Sequence, residues 1–554
     1  MKAQCKKIAT LFRTHNISNY LLALSLLAAL PMSAQDNLPP LVSSTTGFAV
    51  SAPLRDLAIL PSAAAYGFST PEPVRKVRRL PSGPVVDIVE QSWAPATPNF
   101  SVGLNFLGVG DGFPGYTVTG PRPETNIGVG DTQIVEWAFS SYAVFDKSTG
   151  ATLAGPIDRS TLFQSLGGVC STNNSLGNIA QWDKLAHRWV LAGNTGAEPY
   201  TTCVAVSTSA DATGTYYLYQ YPQGDPPPNF ITWGIWGNAY YKSQEEGDNV
   251  TDVGARLCAY NRAKMLVGDA SAEEICFQMS QQDEGIQPAD VDSNVAPPSG
   301  QDELFATIWD NSHFSVYSLH PDFANPANSF VTGNQGSQLI AVPAFTPGCN
   351  GQYYGFCVPQ KDTHNLLEFR GGGFGYRIAY WDDTPPSGVR ASPPIPLPRQ
   401  HWYITSDVLA SNGSDEPRWY EFTAPQRSTP VTGITLFQAG TYAPDSNYRW
   451  NSSISRDKTY NILLGYNVSN TDMYPSIRIT GRILRDPLGT MEDEVTVVDG
   501  MGSYTANPAH WGGNSAMKIG PDGCTFYFAS EYLLRNSPRF WSTRIASAKF
   551  ANCE

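Results

Sequence analysis

The side chains best suited to holding a sugar or an acid are two arginines, four tryptophans and one histidine in the second half of the chain. A guanidinium can pair with a carboxylate through two parallel hydrogen bonds, and an indole ring offers a flat face for stacking. Packing between sheets is the alternative for each tryptophan, and an ordinary surface position is the alternative for each arginine. The candidate ligand-binding residues are Arg377, Trp402, Trp419, Arg449, Trp450, His510 and Trp511.

A small polar residue follows glycine at four places, where Gly-Asp or Gly-Asn precedes or begins an apolar stretch. These residues are Asp131, Asn178, Asn238 and Asn514. If these four residues line a central channel, their side-chain oxygens could bind a cation or a polar ligand. The structural alternative is that the four side chains form hydrogen bonds with neighbouring turns. Three of the four are uncharged amides, so we expect no metal site and no cofactor, with a structural calcium ion as the exception left open.

Nucleophile and metalloenzyme motifs are missing from the sequence. It contains no Gly-x-Ser-x-Gly, no His-Glu-x-x-His, no P-loop and no EF-hand pattern. Whether the protein is an enzyme is therefore open. A glycoside hydrolase using two carboxylates is one alternative, and a polysaccharide lyase using His510 with a tyrosine and an arginine is another.

The elements that must position these residues recur along the chain. Residues 176–192, 450–465 and 510–529 each give a small polar residue, a strand, a turn that begins at an aspartate, and an apolar strand. The turn aspartates are Asp146, Asp183, Asp457 and Asp522. Such recurrence is typical of a propeller. We predict an all-β fold, a single large β-propeller of about seven four-stranded blades with long surface loops; six or eight blades are the alternatives.

Three further segments have a predicted structure. Residues 100–106 alternate as a strand, and residues 261–267 favour one short helical turn. Residues 281–300 are acidic and rich in proline, which predicts a long loop.

The N-terminus has the pattern of an export signal. Basic residues precede a short apolar run that ends in small residues, so residues 1–34 are predicted to be a signal peptide cut after Ala34. Residues 35–93 are rich in proline, alanine and serine, and we expect a leader or linker there, with a propeptide as the alternative. The propeller is assigned to residues 94–554.

The cysteines agree with an exported protein. Cys5 lies in the predicted signal, and the other eight are clustered so that sequential pairs are expected within single blades. None has the Cys-x-x-Cys spacing of a zinc site. The predicted disulfides are Cys170 with Cys203, Cys258 with Cys276, Cys349 with Cys357, and Cys524 with Cys553.

Composition excludes several classes of partner. The net charge of −13 argues against nucleic acid and against an anionic membrane surface. No segment after residue 34 has the roughly 20 apolar residues that a membrane helix needs, so we expect no membrane span in the mature chain.

Seven short stretches carry a likeness to known proteins: 145–147, 182–189, 205–207, 440–450, 474–482, 486–490 and 524–532. They are similar to a family of large exported bacterial proteins, mostly uncharacterised, that look like sialidase-type (Asp-box) propellers. The likeness covers about residues 125–553, and the turn within residues 207–217 is close to an Asp-box. The family pattern has aspartate where this chain has Asn178, Asn238 and Asn514, and the Arg-Ile-Pro motif of true sialidases is absent. The resemblance implies a propeller fold and export.

Taken together, these features predict a secreted propeller that binds an extracellular polymer at one channel mouth, and a glycan fits best. A glycoside hydrolase or polysaccharide lyase is the first alternative. A structural or adhesive protein of the cell surface, with another surface protein as its partner, is the second.

Overall fold

Short strands joined by tight turns make up nearly all of the described chain. The computed structural model describes residues 38–57, 85–93, 96–224, 226–247, 252–352, 354–383, 400–424 and 431–554. The predicted signal peptide, residues 1–34, lies outside these ranges. Aspartates at the predicted positions shape several hairpins: Asp146 accepts hydrogen bonds from the backbone N–H groups of Ser148 and Thr149, at 3.0 and 2.9 Å.

Four strands precede the repeated sheets: β1 (Leu41–Ser44), β2 (Gly47–Val50), β3 (Glu90–Gln91) and β4 (Phe100–Leu107). The strand predicted at residues 100–106 is therefore confirmed. Strands β1 to β3 lie within the segment 35–93, where we expected a leader or linker, and all three pair with strands of the sheets described next.

The described residues form seven repeated sheets, each built on four strands, which agrees with the predicted number of blades; three of these sheets gain a further strand from β1, β2 or β3. Sheet 1 has β5 (Asn126–Val129), β6 (Gln133–Ala138), β7 (Ser141–Asp146) and β8 (Thr152–Asp158), followed by the short helices α1 (Arg159–Leu162) and α2 (Gly168–Thr172). Sheet 2 has β9 (Asn174–Asp183), β10 (Arg188–Thr195), β11 (Tyr200–Ser207) and β12 (Tyr216–Gly224). Sheet 3 has β13 (Pro228–Ile235), β14 (Tyr240–Gly247), β15 (Asp252–Tyr260), helix α3 (Arg262–Met265) and β16 (Glu273–Gln278).

Sheet 4 has β17 (Gln287–Val291), β18 (Glu303–Asp310), β19 (His313–His320) and β20 (Phe330–Thr332), and β21 (Leu339–Ala341) also pairs with β19. An insertion follows, with β22 (Thr346–Pro347), helix α4 (Gly348–Gly351), β23 (Gly355–Val358) and β24 (Leu367–Phe369). Sheet 5 has β25 (Ile378–Asp382), β26 (Gln400–Leu409), β27 (Asp415–Ala424) and β28 (Thr435–Tyr442).

Sheet 6 has β29 (Tyr448–Arg456), β30 (Ile462–Asn470), β31 (Met473–Arg482) and β32 (Val495–Val498). Sheet 7 has β33 (Ala516–Ile519), β34 (Thr525–Tyr532) and β35 (Ser542–Phe550), and its fourth strand is β4 from the N-terminal side of the repeats. Because β4 pairs antiparallel with β35, the two ends of the repeated region are joined within one sheet.

The first strands of the sheets form a closed ring. Each of β5, β9, β13, β17, β25, β29 and β33 contacts the next, and β33 contacts β5. Strands β17 and β25 pair in parallel, so the first strands of sheets 4 and 5 begin at the same end of the ring. We call the end of the axis where the first strands begin the upper mouth. The opposite end, where each first strand turns into its second, is the lower mouth.

Charged side chains fill the interior of the ring. Arg377 donates to both carboxylate oxygens of Asp292 at 2.6 Å, and the Lys518 ammonium lies 2.7 Å from Asp290. Lys184 donates to the backbone carbonyl of Asp292 at 2.6 Å. These residues belong to sheets 2, 4, 5 and 7, so the network spans the axis.

One loop prediction was wrong. Residues 281–300 contain β17, the first strand of sheet 4. Its sequence, Gln-Pro-Ala-Asp-Val, is only five residues long and contains proline and aspartate, which favour turns, and Asp290 pairs with Lys518 in the interior of the ring. The predicted helical turn at 261–267 is confirmed by α3.

Four disulfides join the pairs predicted from the sequence: Cys170–Cys203, Cys258–Cys276, Cys349–Cys357 and Cys524–Cys553. Two lie within single sheets, sheet 3 and sheet 7. The first joins helix α2 to sheet 2, and the third closes the insertion between sheets 4 and 5. Among the residues described, no helix combines the length and the apolar character needed to cross a bilayer.

Candidate functional site

The four candidate tryptophans are core residues. Trp402, Trp419 and Trp511 have no exposed surface, and Trp450 is 1% exposed. Trp450 and Trp511 pack against one another with ring centroids 5.6 Å apart. Their burial supports the packing alternative, because a sugar ring has no access to their faces.

The two candidate arginines are also internal. Arg449 donates to Asp445 at 2.9 Å and to Glu494 at 3.0 Å, and its side chain is fully buried. Arg377 belongs to the network of charged side chains in the interior of the ring. Burial would lower the pKa of Arg377, but the charges of Asp292 and Asp290 outweigh it and raise the pKa. Both arginines neutralise internal carboxylates.

The four Gly-Asp and Gly-Asn positions fall at different ends of their strands. Asp131 and Asn238 lie in the hairpins that follow β5 and β13, Asn178 is in β9, and Asn514 precedes β33. Asp131 pairs with His187 at 2.7 Å, across the hairpins of sheets 1 and 2. The four side chains therefore do not form one ring of ligands at one mouth.

A different set of side chains meets at the upper mouth. The segments that precede β5, β25 and β33 converge at the upper mouth with the start of β13, because the first strands of the sheets begin at that end of the ring. The hairpin of β23 and β24 is tied to the segment before β33 by a bridge between Leu367 and Ala509. We call this set the mouth cluster: Arg122, Glu124, Phe230, Tyr354, Phe356, Glu368, Arg370 and His510.

Glu368 is the buried centre of the mouth cluster. Arg122 holds its carboxylate through two hydrogen bonds of 2.8 and 2.7 Å, and the Tyr354 hydroxyl donates to it at 2.8 Å. Burial would raise the pKa of Glu368, but the hydrogen bond from His510 and the charges of Arg370 and Arg122 outweigh it and lower the pKa to about 2. Glu368 is therefore an ionised acceptor at neutral pH.

The Glu368 carboxylate also orients His510. Nδ1 of His510 lies 3.0 Å from Oε2 of Glu368 and 2.9 Å from Nη2 of Arg122. In the tautomer with a proton on Nδ1 this nitrogen donates to the carboxylate, and in the other tautomer it accepts from Arg122. In the first tautomer the lone pair is on Nε2. The ring is 34% exposed at the side chain and packs edge-on against Phe356.

Arg370 links the cluster to sheets 1 and 3. Its Nη1 lies 3.2 Å from Oε1 of Glu124, and its guanidinium lies 5.9 Å from the ring centre of Phe230. Glu124 and Phe230 both have left-handed backbone, with φ of 46° and 44°. A non-glycine residue in that region costs on the order of 1 kcal/mol or more, and such strain concentrates at functional sites.

A second buried carboxyl group, that of Glu531, lies beside the mouth cluster. Its pKa is shifted in the opposite direction from the pKa of Glu368. Glu531 accepts from the Gly512 N–H at 2.8 Å and from the Tyr504 hydroxyl at 3.0 Å. Burial raises the pKa of Glu531 well above its usual value, outweighing these donors. Neither Glu368 nor Glu531 has exposed surface, so they cannot flank a sugar as the paired carboxylates of a glycosidase must.

Of the seven candidate ligand-binding residues named above, His510 is the one that the structure places in this site, with its side chain 34% exposed. Arg122, Glu368 and Tyr354 escaped notice because no motif links them: Arg122 and Glu368 are 246 positions apart, and Glu368 and His510 are 142 apart. The Glu-Phe-Arg alternation at residues 368–370 was the only local signal, since it puts two charges on one side of a strand.

Comparisons with known proteins give fold-level likeness only. The sequence matches no known family profile and no curated protein. Among solved structures, the N-terminal domain of Nup159 is 8% identical, with 84% of this chain and 100% of that chain covered and a TM-score of 0.35. A protein of unknown function from Dyadobacter fermentans is 7% identical (82% and 100% covered, TM-score 0.34), and an endo-arabinase from Bacteroides thetaiotaomicron is 8% identical (57% and 97%, TM-score 0.26). At these values the likeness carries no conclusion about function.

Proposed function

We propose that the protein is an exported β-propeller that binds an extracellular glycan at the upper mouth. The observation that carries this proposal is the mouth cluster, where partly exposed rings stand beside charged groups that buried partners hold in place. Phe356 is 37% exposed and the side chain of Glu124 is 35% exposed. Aromatic faces stack on the apolar faces of sugar rings, and the charged groups can bind hydroxyl groups.

The fixed geometry favours affinity for a flexible polymer. Arg122 and Tyr354 are already held by Glu368, and His510 is oriented by the same carboxylate. A site whose side chains are ordered before binding loses less conformational entropy when the ligand arrives.

Export is supported independently. The four disulfides fit an oxidising compartment, and they agree with the signal pattern of residues 1–34.

Calorimetric titration of the purified protein with a panel of neutral and acidic polysaccharides tests the proposal. At least one glycan should bind, and Phe356→Ala and Arg370→Ala should each weaken its binding by about tenfold, the effect of losing roughly 1.4 kcal/mol of contact energy. Phe437→Ala is the matched control, because Phe437 is a 47% exposed phenylalanine in β28, outside the cluster.

Equal binding by all three variants would place the glycan elsewhere and contradict the proposed site. Failure of every glycan to bind, together with stable self-association, would favour the structural or adhesive alternative.

A further inference from the structure

We infer that the mouth cluster also cleaves its ligand, by β-elimination at a uronate unit with His510 as the base. This inference rests on the proposed function, since it needs a glycan at the same mouth. It commits the ligand to one chemical class, polysaccharides that contain uronic acids.

The first step of the argument is the pair formed by Glu368 and His510. In the tautomer with a proton on Nδ1, His510 donates to the buried carboxylate of Glu368, and the Nε2 lone pair is then available for a proton. Carboxylate–histidine pairs of this kind are general bases, and their contribution to rate is typically 10²–10⁴-fold. Phe356 packs edge-on at 5.6 Å and limits rotation of the ring.

The second step concerns where negative charge would develop. Removing the C5 proton of a uronate puts charge on the adjacent carboxylate, and a nearby cation lowers the cost. Arg370 is 15% exposed at the side chain, and its charge acts on Tyr354 and on Glu368, the partner of His510. A uronate carboxylate at the mouth would share this guanidinium with Glu124.

The reaction balances without any further reagent. The C5–H bond breaks and its proton moves to Nε2 of His510, while its electron pair forms the C4=C5 double bond. The C4–O glycosidic bond breaks, and the leaving oxygen takes a proton from water. His510 then returns its proton to solvent. Hydrolysis by paired carboxylates is disfavoured at this mouth because Glu368 and Glu531 are both fully buried.

The overall charge of −13 opposes the approach of a polyanion at low salt. At about 0.15 M ionic strength the Debye length is about 8 Å, so distant surface charges are largely screened while a partly buried arginine still acts. Assays therefore belong at that ionic strength.

The test is to incubate the protein with polygalacturonate, alginate and hyaluronate and to follow the ultraviolet absorbance of the new conjugated double bond. We expect turnover on at least one polymer, with His510→Ala lowering the rate by about 100-fold or more. Binding of the same polymer by His510→Ala, measured by calorimetry, should remain within about threefold, since removing a base costs little ground-state affinity.

A second variant separates positioning from structure. Glu368→Gln keeps a hydrogen-bond acceptor but removes the charge that orients the imidazole, so kcat should fall while KM stays within about threefold. Circular dichroism and the thermal midpoint show whether Glu368→Gln folds. If Glu368→Gln does not fold, the result for His510→Ala decides the test.

Glycan binding without double-bond formation would overturn this inference and leave the proposed function intact. New reducing ends without the double bond would mean hydrolysis and would also overturn it. Unchanged turnover in His510→Ala would exclude His510 as the base. Failure of all glycans to bind would count against the proposed function itself.

Discussion

Glu136 is a carboxyl group with no exposed surface in the seam between sheet 1 and sheet 7. Its Oε2 accepts from the Val109 N–H at 2.6 Å, just after β4, the strand that closes the ring. Burial raises the pKa of Glu136 from 4.5 to about 7, despite this hydrogen bond and one from Thr543. The folded protein therefore holds the proton more tightly than the unfolded chain does.

This shift gives a prediction with a definite sign. Below about pH 4.5 both states are protonated and the group has no effect, whereas between pH 4.5 and 7 the folded state progressively loses stability, by about 3 kcal/mol in all. Glu136→Gln should thus raise the thermal midpoint at pH 8 and leave it nearly unchanged at pH 4. Asp472→Asn, at an exposed turn, is the control and should change neither. A variant less stable than the natural protein at pH 8 would show that the charge is favourable there.

Residue types alone predicted the tryptophans and arginines as ligands because large rings and guanidinium groups do bind sugars and acids. The sequence does not show whether a tryptophan in a strand faces its neighbour sheet or the solvent, and here Trp402 and Trp419 face neighbours. His510 was found because it stands at the head of a repeated segment. Its partner Glu368 could not be found, since only the ring of sheets brings them together.

At the scale of elements, the repeated hairpins were predictable because turn aspartates and apolar alternation are local signals. The sequential cysteine pairs were predictable for the same reason. Strand β17 was missed because it is only five residues long and contains a proline and an aspartate, so it is too short and too rich in turn-forming residues to show an apolar period. The attachment of β1 and β2 to sheets 3 and 2 left no local signal either, since these two strands are only four residues long.

The disulfides should differ in their effect on stability according to the loop that each closes. Cys524 and Cys553 are separated by 29 positions and Cys349 and Cys357 by 8, which corresponds to about 3.5 and about 2.5 kcal/mol in the chain-entropy description. Replacing both cysteines of a pair with alanine should therefore lower the thermal midpoint more for the first pair. Under reducing conditions the difference between the two variants should disappear. A larger loss for the 349–357 pair would mean that native contacts of the insertion, and not loop length, decide the effect.

At the scale of the whole molecule, the ring depends on contacts between residues that are far apart in sequence. Asp292, on the C-terminal side of β17 in sheet 4, accepts from Arg377 of sheet 5 and from the Ser455 hydroxyl of sheet 6, at 2.6 and 2.5 Å. Lys518 of sheet 7 reaches Asp290 of sheet 4, although those two sheets are not neighbours in the ring. Five of the seven sheets, including sheet 2 through Lys184, therefore meet in one charged network.

Removing one charge from this network should destabilise the whole ring. Asp292→Asn keeps the shape of the side chain but leaves Arg377 buried without its closest counter-charge, which typically costs about 3–5 kcal/mol. Asp499→Asn breaks a pair with Arg478 in which the aspartate is 71% exposed, and such a pair is worth about 0–1 kcal/mol. Thermal midpoints of the two variants should therefore differ clearly, with a single transition at lower temperature for Asp292→Asn. Equal midpoints would show that the axis tolerates an unbalanced charge and that packing between adjacent sheets alone keeps the ring closed.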